Sequence, residues 1–164
     1  MAFISKNELE QFEYDDCLAE KVEKSGDDIV IMLSSLIVKE RNSQNANFTR
    51  SYADTARLTL KNAAVESIII AGYRVYDAND NLLEEVPDRA VEIEAYADIF
   101  KKISGYYMYR VLSDEADNGF VYDFEFENAD TGKIPDMRED AFVVRIRFSE
   151  AVISWDRYLN RVQG

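Results

Sequence analysis

The chain has 164 residues, 32 acidic and 19 basic, for a formal net charge of -13, with no histidine and a single cysteine. Without histidine, no Ser-His-Asp triad, Cys-His pair or His-ligated zinc or iron site can be built within it. The negative balance opposes phosphate backbones and anionic lipid, which are held by lysine and arginine. A hydrophobic fraction of 47% with 12% aromatic residues predicts a globular core, and the length suits a single domain over residues 1–164.

Cys17 has no partner for an internal disulfide, so the fold is expected not to depend on oxidation, and a bacterial, cytoplasmic setting is the default. Met1 to Lys6 carries neither a basic stretch nor a continuous apolar run, so no signal peptide is expected. Apolar runs such as Ile29 to Leu33 fall far short of the roughly 20 residues of a membrane-spanning helix.

In chain order, Ser5 with Glu8 three residues on predicts a helical turn opened by a capping box, with Ile4 and Leu9 as its hydrophobic staple. Phe12-Glu13-Tyr14 and Leu18 to Val22 read as extended. Ser25-Gly26-Asp27-Asp28 predicts a hairpin turn into an apolar run from Ile29 to Val38, placed centrally in a sheet. Arg41 to Asp54 is polar and aperiodic and predicts a long loop. Ala56 to Leu60 returns to strand. Ile68 to Tyr76 gives another, with Ile69, Ala71, Tyr73 and Val75 alternating, and Asp77 to Asn81 closes it as a turn.

Pro87-Asp88 opens a predicted amphipathic helix near 88–104, with Ile93, Tyr96, Ala97, Phe100 and Ile103 as its stripe and Gly105 after it. Tyr106 to Leu112 predicts a strand, joined through Asp117-Asn118-Gly119 to Phe120-Tyr122-Phe124-Phe126 in alternation with charged residues. Phe142-Val144-Ile146-Phe148 alternates with Arg145 and Arg147. These last two strands are predicted to be antiparallel neighbours, with carboxylates facing arginines across the sheet. Val152 to Val162 reads equally as a bent strand ending at Trp155 or as a short helix. The expected fold is α+β and mainly antiparallel β, either a sandwich or a strongly curved sheet, with one helix. The expected core is Tyr14, Ile29, Ile31, Leu33, Leu58, Leu60, Ile69, Tyr73, Tyr96, Phe100, Phe120, Tyr122, Phe124, Val144, Ile146 and Phe148.

The acidity is uneven. Between Asp77 and Asp98 lie Asp77, Asp80, Glu84, Glu85, Asp88, Glu92, Glu94 and Asp98, against the single cation Arg89. A second run holds Asp114, Glu115, Asp117, Asp123, Glu125, Glu127 and Asp130 with no cation. Asp77, Asn79, Asn81, Glu85 and Asp88 match positions 1, 3, 5, 9 and 12 of a calcium loop. Leu82 replaces its turn glycine and no helix precedes it, so a plain hairpin turn is favoured and no metal is expected. Asp15 and Asp16 oppose thiolate formation at Cys17, which reads as structural. Trp155 is expected to close one end of the core. No cofactor motif is present.

Phe12-Glu13-Tyr14-Asp15-Asp16-Cys17, Gly26-Asp27-Asp28-Ile29 and Ser154-Trp155-Asp156 resemble scattered signatures of small bacterial β-rich proteins with one inserted helix. Some of these are immunity-type or accessory proteins. The resemblance implies no catalytic residue. The function expected is that of a non-enzymatic acidic binding protein for a basic protein partner, of immunity or inhibitor type. Asp77, Asp80, Glu84, Glu85, Asp88, Glu92, Glu94 and Asp98 are its candidate surface. The alternatives are a small-ligand or carbohydrate-binding β-sandwich and, third, a carboxylate-based hydrolase.

Overall fold

The computed structural model describes residues 2–128 and 140–162. Fifty-seven per cent of the described residues are strand, and among them there is a single short helix. In chain order the elements are β1 (Phe3–Lys6), a 3-10 turn (Leu9–Gln11), β2 (Phe12–Glu13), β3 (Leu18–Ser25), β4 (Asp28–Ser34), β5 (Ile37–Val38) and β6 (Ser51–Ala53). Then come β7 (Ala56–Lys61), β8 (Ala64–Ile70), β9 (Tyr73–Tyr76), β10 (Leu82–Val86), β11 (Arg89–Ala90), a second 3-10 turn (Ile93–Ala95) and α1 (Tyr96–Ile103). The chain continues with β12 (Tyr106–Asp114), β13 (Phe120–Glu127), β14 (Ala141–Phe148), β15 (Glu150–Trp155) and β16 (Tyr158–Arg161).

Ten strands form one antiparallel sheet in the order β1-β15-β7-β4-β3-β12-β13-β14-β8-β11. Two of its connections turn a corner instead of making hairpins. β7 runs into β8 through Asn62 and Ala63, and β14 runs into β15 through Ser149, so each chain path crosses from one half of the sheet to the other. Asn62 takes a left-handed φ of 49°. The two corners are tied by the Ser149 amide to the Lys61 carbonyl at 2.9 Å and by Asn62 Nδ2 to Ser149 Oγ at 3.0 Å. The sheet therefore folds over itself, and Leu33, Leu58 and Leu60 of one half share a buried cluster with Phe124, Phe126, Phe142 and Val144 of the other. Bends at which strands change halves are the usual way such sheets close around a core.

The two alternating strands behave as their pattern dictates. β13 and β14 pair in antiparallel register, with Tyr122 opposite Ile146, Phe124 opposite Val144 and Asp123 opposite Arg145. The β3–β4 turn uses Gly26 at φ 61°, and the β12–β13 loop ends at Gly119 at φ 70°, conformations that glycine adopts without steric cost.

Other expectations are corrected. The helix spans Tyr96–Ile103, not 88–104, because Arg89 and Ala90 pair as a strand with Ile70 and Ile69, and the Val91 amide bonds the Ile68 carbonyl at 2.9 Å. Its buried side is Ile99, Phe100 and Ile103, whereas Ile93 is 75% exposed. The Ile29-to-Val38 run breaks at Ser35, whose φ is 60°, and its last part, β5, joins a separate four-stranded sheet in the order β16-β6-β5-β2. Ile68 to Tyr76 also breaks, at Gly72, and the buried residues of β8 are Ile68 and Ile70 while Ile69 is only half-buried. Ser5 lies in β1, so its hydroxyl bonds Glu8 at 2.8 Å without capping a helix. Val152 to Val162 is two strands, β15 and β16, broken after Trp155.

The polar segment over 41–54 is not a plain loop. It ends in β6, and Asn42 and Asn45 are buried within it. Asn45 Nδ2 lies 3.1 Å from the Val38 and Lys39 carbonyls and 2.9 Å from that of Thr49, while Asn42 Nδ2 reaches Ser5 Oγ at 3.1 Å. Its asparagines do the work that apolar residues do elsewhere, by satisfying backbone groups that the turn leaves unpaired. Trp155 is fully buried, stacked on Phe3 at 5.5 Å and met edge-on by Phe12 at 5.9 Å.

Candidate functional site

Three carboxylates of the second acidic run, Asp114, Asp123 and Glu125, are paired with arginines across the sheet. Arg145 of β14 lies 3.3 Å from Asp123 of β13 and also pairs with Asp114 of β12. An irregularity in the β14–β8 register sets Glu66 apart, with Arg145 opposite Ser67 and Ile146 opposite Val65. Glu66 is thereby placed to take Arg147 at 2.7 Å and Arg145 at 3.8 Å, the kind of re-aiming a bulge permits. The hydrogen bond from Arg145, its charge and the Glu115 amide hold the Asp114 carboxyl below its ordinary value. Glu125 reaches Arg110 at 3.6 Å. Asp130 lies outside the described residues.

The first run is distributed differently. β9 and β10 pair with each other and, among the described residues, with no other strand. This hairpin carries Asp77, Asp80, Glu84 and Glu85. Asp88 stands at its foot, Glu92 and Glu94 lie at the second 3-10 turn, and Asp98 lies in the first turn of α1. Three of the eight have structural tasks. Asp77 accepts the Asn79 and Asn81 amides at 2.8 and 2.9 Å and the Asn81 side chain at 3.1 Å, and bonding from Asn81 and Asn79 lowers its pKa. Glu85 pairs with Arg74 at 2.9 Å, and Asp88 accepts the Gly72 amide at 2.6 Å. Asp80, Glu84, Glu92, Glu94 and Asp98 are exposed and make no side-chain hydrogen bond or ion pair among the described residues.

With Asp77, Glu85 and Asp88 each turned to a different partner, the oxygens spaced as a calcium loop do not converge. Among the described residues no group of three or more potential ligands could hold a metal ion. The described carboxyls with a resolved shift, Glu8, Asp77 and Asp114, are all held low, the reverse of what a general acid requires. Cys17 is fully buried, and burial pushes its thiol up to about 12. Desolvation, not the neighbouring aspartates, is what suppresses its reactivity.

Apolar side chains accompany the free carboxylates. Tyr76, Leu82 and Leu83 of the hairpin are exposed, as is Ile93. A groove of about 370 Å³ opens between α1 and the start of β8, lined by Ala64, Val65, Ile93, Tyr96, Ala97 and Phe100 together with Lys24 and Glu66. The sequence did not announce this groove, because one wall is formed by Ala63 to Glu66 where the chain leaves the β7–β8 corner, for which no periodic signal exists. Exposed apolar groups beside an acidic stripe were the one hint available.

Antiparallel strands folded over one core, one short helix and an outlying hairpin define a β-rich α+β protein bearing an acidic, partly apolar outer edge. No family model matches the chain, and no curated protein or solved structure matches it. No described helix is long and apolar enough to cross a membrane.

Proposed function

We propose that the protein is a non-enzymatic binding protein that engages a basic protein partner, in the manner of an immunity or inhibitor protein, through the face formed by β9, β10 and residues 88–98. The observation that carries this reading is the division of the acidic surplus. Asp114 and Asp123 pair with Arg145 across the sheet, whereas Asp80, Glu84, Glu92, Glu94 and Asp98 make no ion pair among the described residues and lie on one continuous stretch of chain. Unpaired like charges raise the free energy of the isolated protein, and a partner of opposite sign relieves that cost while steering encounter. Tyr76, Leu82 and Leu83 add exposed apolar area on the same hairpin, and an apolar patch with a charged rim is the usual composition of an interface.

The test is capture from a lysate of the source cells on the immobilised protein, beside a variant carrying Asp80→Asn, Glu84→Gln, Glu92→Gln, Glu94→Gln and Asp98→Asn. The expected result is retention of a basic protein by the wild type at low salt, its release at high salt, and its loss from the variant. Retention of the same protein by both, unchanged at high salt, would contradict the proposal. The second reading, a small-ligand or carbohydrate-binding protein, draws on the groove beside α1 and its aromatic residues Tyr96 and Phe100. Binding of a neutral sugar or small apolar ligand that Phe100→Leu weakens, with no basic protein captured, would favour it.

A further inference from the structure

The groove beside α1 does not end at the helix. A second depression of about 310 Å³, lined by Ala90, Val91, Glu92, Ile93 and Glu94, meets it at Ile93, which belongs to both. The two differ in charge. In the first, the lining is apolar apart from Lys24, whose ammonium reaches the Ala63 carbonyl at 3.5 Å, and Glu66, which pairs with Arg147. In the second, Glu92 and Glu94 are opposed by no cation in the lining. Ile93 stands between them, 75% exposed, an orientation that leaves a large apolar side chain in water when nothing covers it.

The surrounding elements fix this arrangement. Arg89 and Ala90 are held to β8, and Ile99, Phe100 and Ile103 anchor α1 in the core. Ser104 Oγ accepts the Val22 amide at 2.9 Å, and the Gly105 amide bonds the Ala19 carbonyl at 2.7 Å, fastening the end of the helix to β3. The 3-10 turn between these anchors carries Ile93 at a set position. Both depressions are therefore formed before any partner arrives, which lowers the ordering cost of binding.

We infer that this pair of depressions receives a segment of the partner in which a large apolar side chain is followed closely by lysine or arginine. The apolar residue would enter between Ala64, Ala97 and Phe100, and the cation would lie against Glu92 and Glu94. This rests on the proposed function and specifies the chemistry of the partner at that surface. The charge pattern selects the occupant: an anionic head would be repelled by Glu92 and Glu94, and a wholly basic segment would leave the apolar depression unfilled. Ala64 and Ala97 leave the space, since a larger side chain at either would occupy it.

The experiment measures fluorescence anisotropy of two labelled peptides, Gly-Lys-Lys-Leu-Phe-Lys-Lys-Gly and its counterpart with Ser-Ser in place of Leu-Phe. Each is titrated at low and high salt with the wild type, with Ala97→Trp and with the double variant Glu92→Gln, Glu94→Gln. Circular dichroism confirms that each variant is folded, and Ala97 is exposed on α1, so the tryptophan has room to be accepted. The Leu-Phe peptide is expected to bind wild type about tenfold or more tightly than the Ser-Ser peptide, the ratio that burial of one large apolar side chain supplies. Ala97→Trp is expected to abolish that preference while leaving the Ser-Ser peptide and its salt dependence unchanged. The double variant is expected to weaken both peptides. Equal affinity of the two peptides for wild type, or a preference that survives Ala97→Trp, would overturn the inference, and salt-dependent binding of both would then leave the broader acidic-surface reading standing. Absence of binding by either peptide would remove both. A wild-type dimer that Ala97→Trp dissociates, with no peptide preference, would assign the groove to a second copy of the chain and overturn the inference as well.

Discussion

At Gly72 the chain leaves β8 for the outlying hairpin, and the backbone of Val86 to Asp88 passes against it so closely that a methyl group there would stand 2.1 Å from the Val86 carbonyl oxygen. Glycine is required by this approach, not by its dihedral angles. Gly72→Ala is expected to destabilise the protein by about 1–3 kcal/mol through overpacking, with the fastest amide exchange appearing in β9 and β10. Glu8 acts at the same scale. Burial pushes its carboxyl up, but hydrogen bonds from the Ser43 and Ser5 hydroxyls and the Ser43 amide outweigh this and hold it below 4.5. A lowered folded-state pKa contributes stability that is present above 4.5 and lost as pH falls through the lowered value. Glu8→Gln should therefore reduce stability at neutral pH and flatten its decline in acid, as read from urea unfolding across the acid range. Cys17, with its thiol raised to about 12, should resist alkylation at mildly alkaline pH until the chain is unfolded.

The strands that were legible in the sequence are those with two different faces. β13 and β14 alternate aromatic or aliphatic with charged residues, which sets both their pairing and the Asp123–Arg145 contact. Ile68-Ile69-Ile70 offers the same side chain on both faces, so its sequence is silent about which one turns inward, and the expected Ile69 was displaced by its neighbours. Residues 88–92 precede the helical stripe that begins at Ile93, and the open edge of β8 supplied hydrogen-bond partners that drew Arg89 and Ala90 into a strand. The polar segment after Arg41 was silent for another reason: its order comes from the Asn45 side chain bonding backbone carbonyls four to seven residues away, which leaves no periodicity. The candidate acidic residues could be named, but their division into paired and unpaired groups depends on the strand β14 lying between β13 and β8. Arg145→Ala is expected to cost about 1 kcal/mol or less, since its partners are partly exposed, and the cost should shrink with salt.

Over the whole molecule, the folded-over sheet turns many of its aromatic residues inward and buries Trp155 among Phe3, Phe12 and Tyr158. Trp155→Ala is expected to lower stability by about 3–5 kcal/mol, measured by denaturant unfolding, as removal of a fully buried indole does. That rigid body leaves the β9–β10 hairpin and residues 88–98 at its margin, with five unpaired carboxylates and several exposed apolar side chains. The acidic face is tested most directly by amide hydrogen exchange of the protein with and without its captured basic partner. Slowed exchange is expected in 73–98, extending to α1 and the β7–β8 corner at 62–65. Protection confined to other parts of the surface, such as the loop around the exposed Phe48 or strand β16, with 73–98 unchanged, would contradict it.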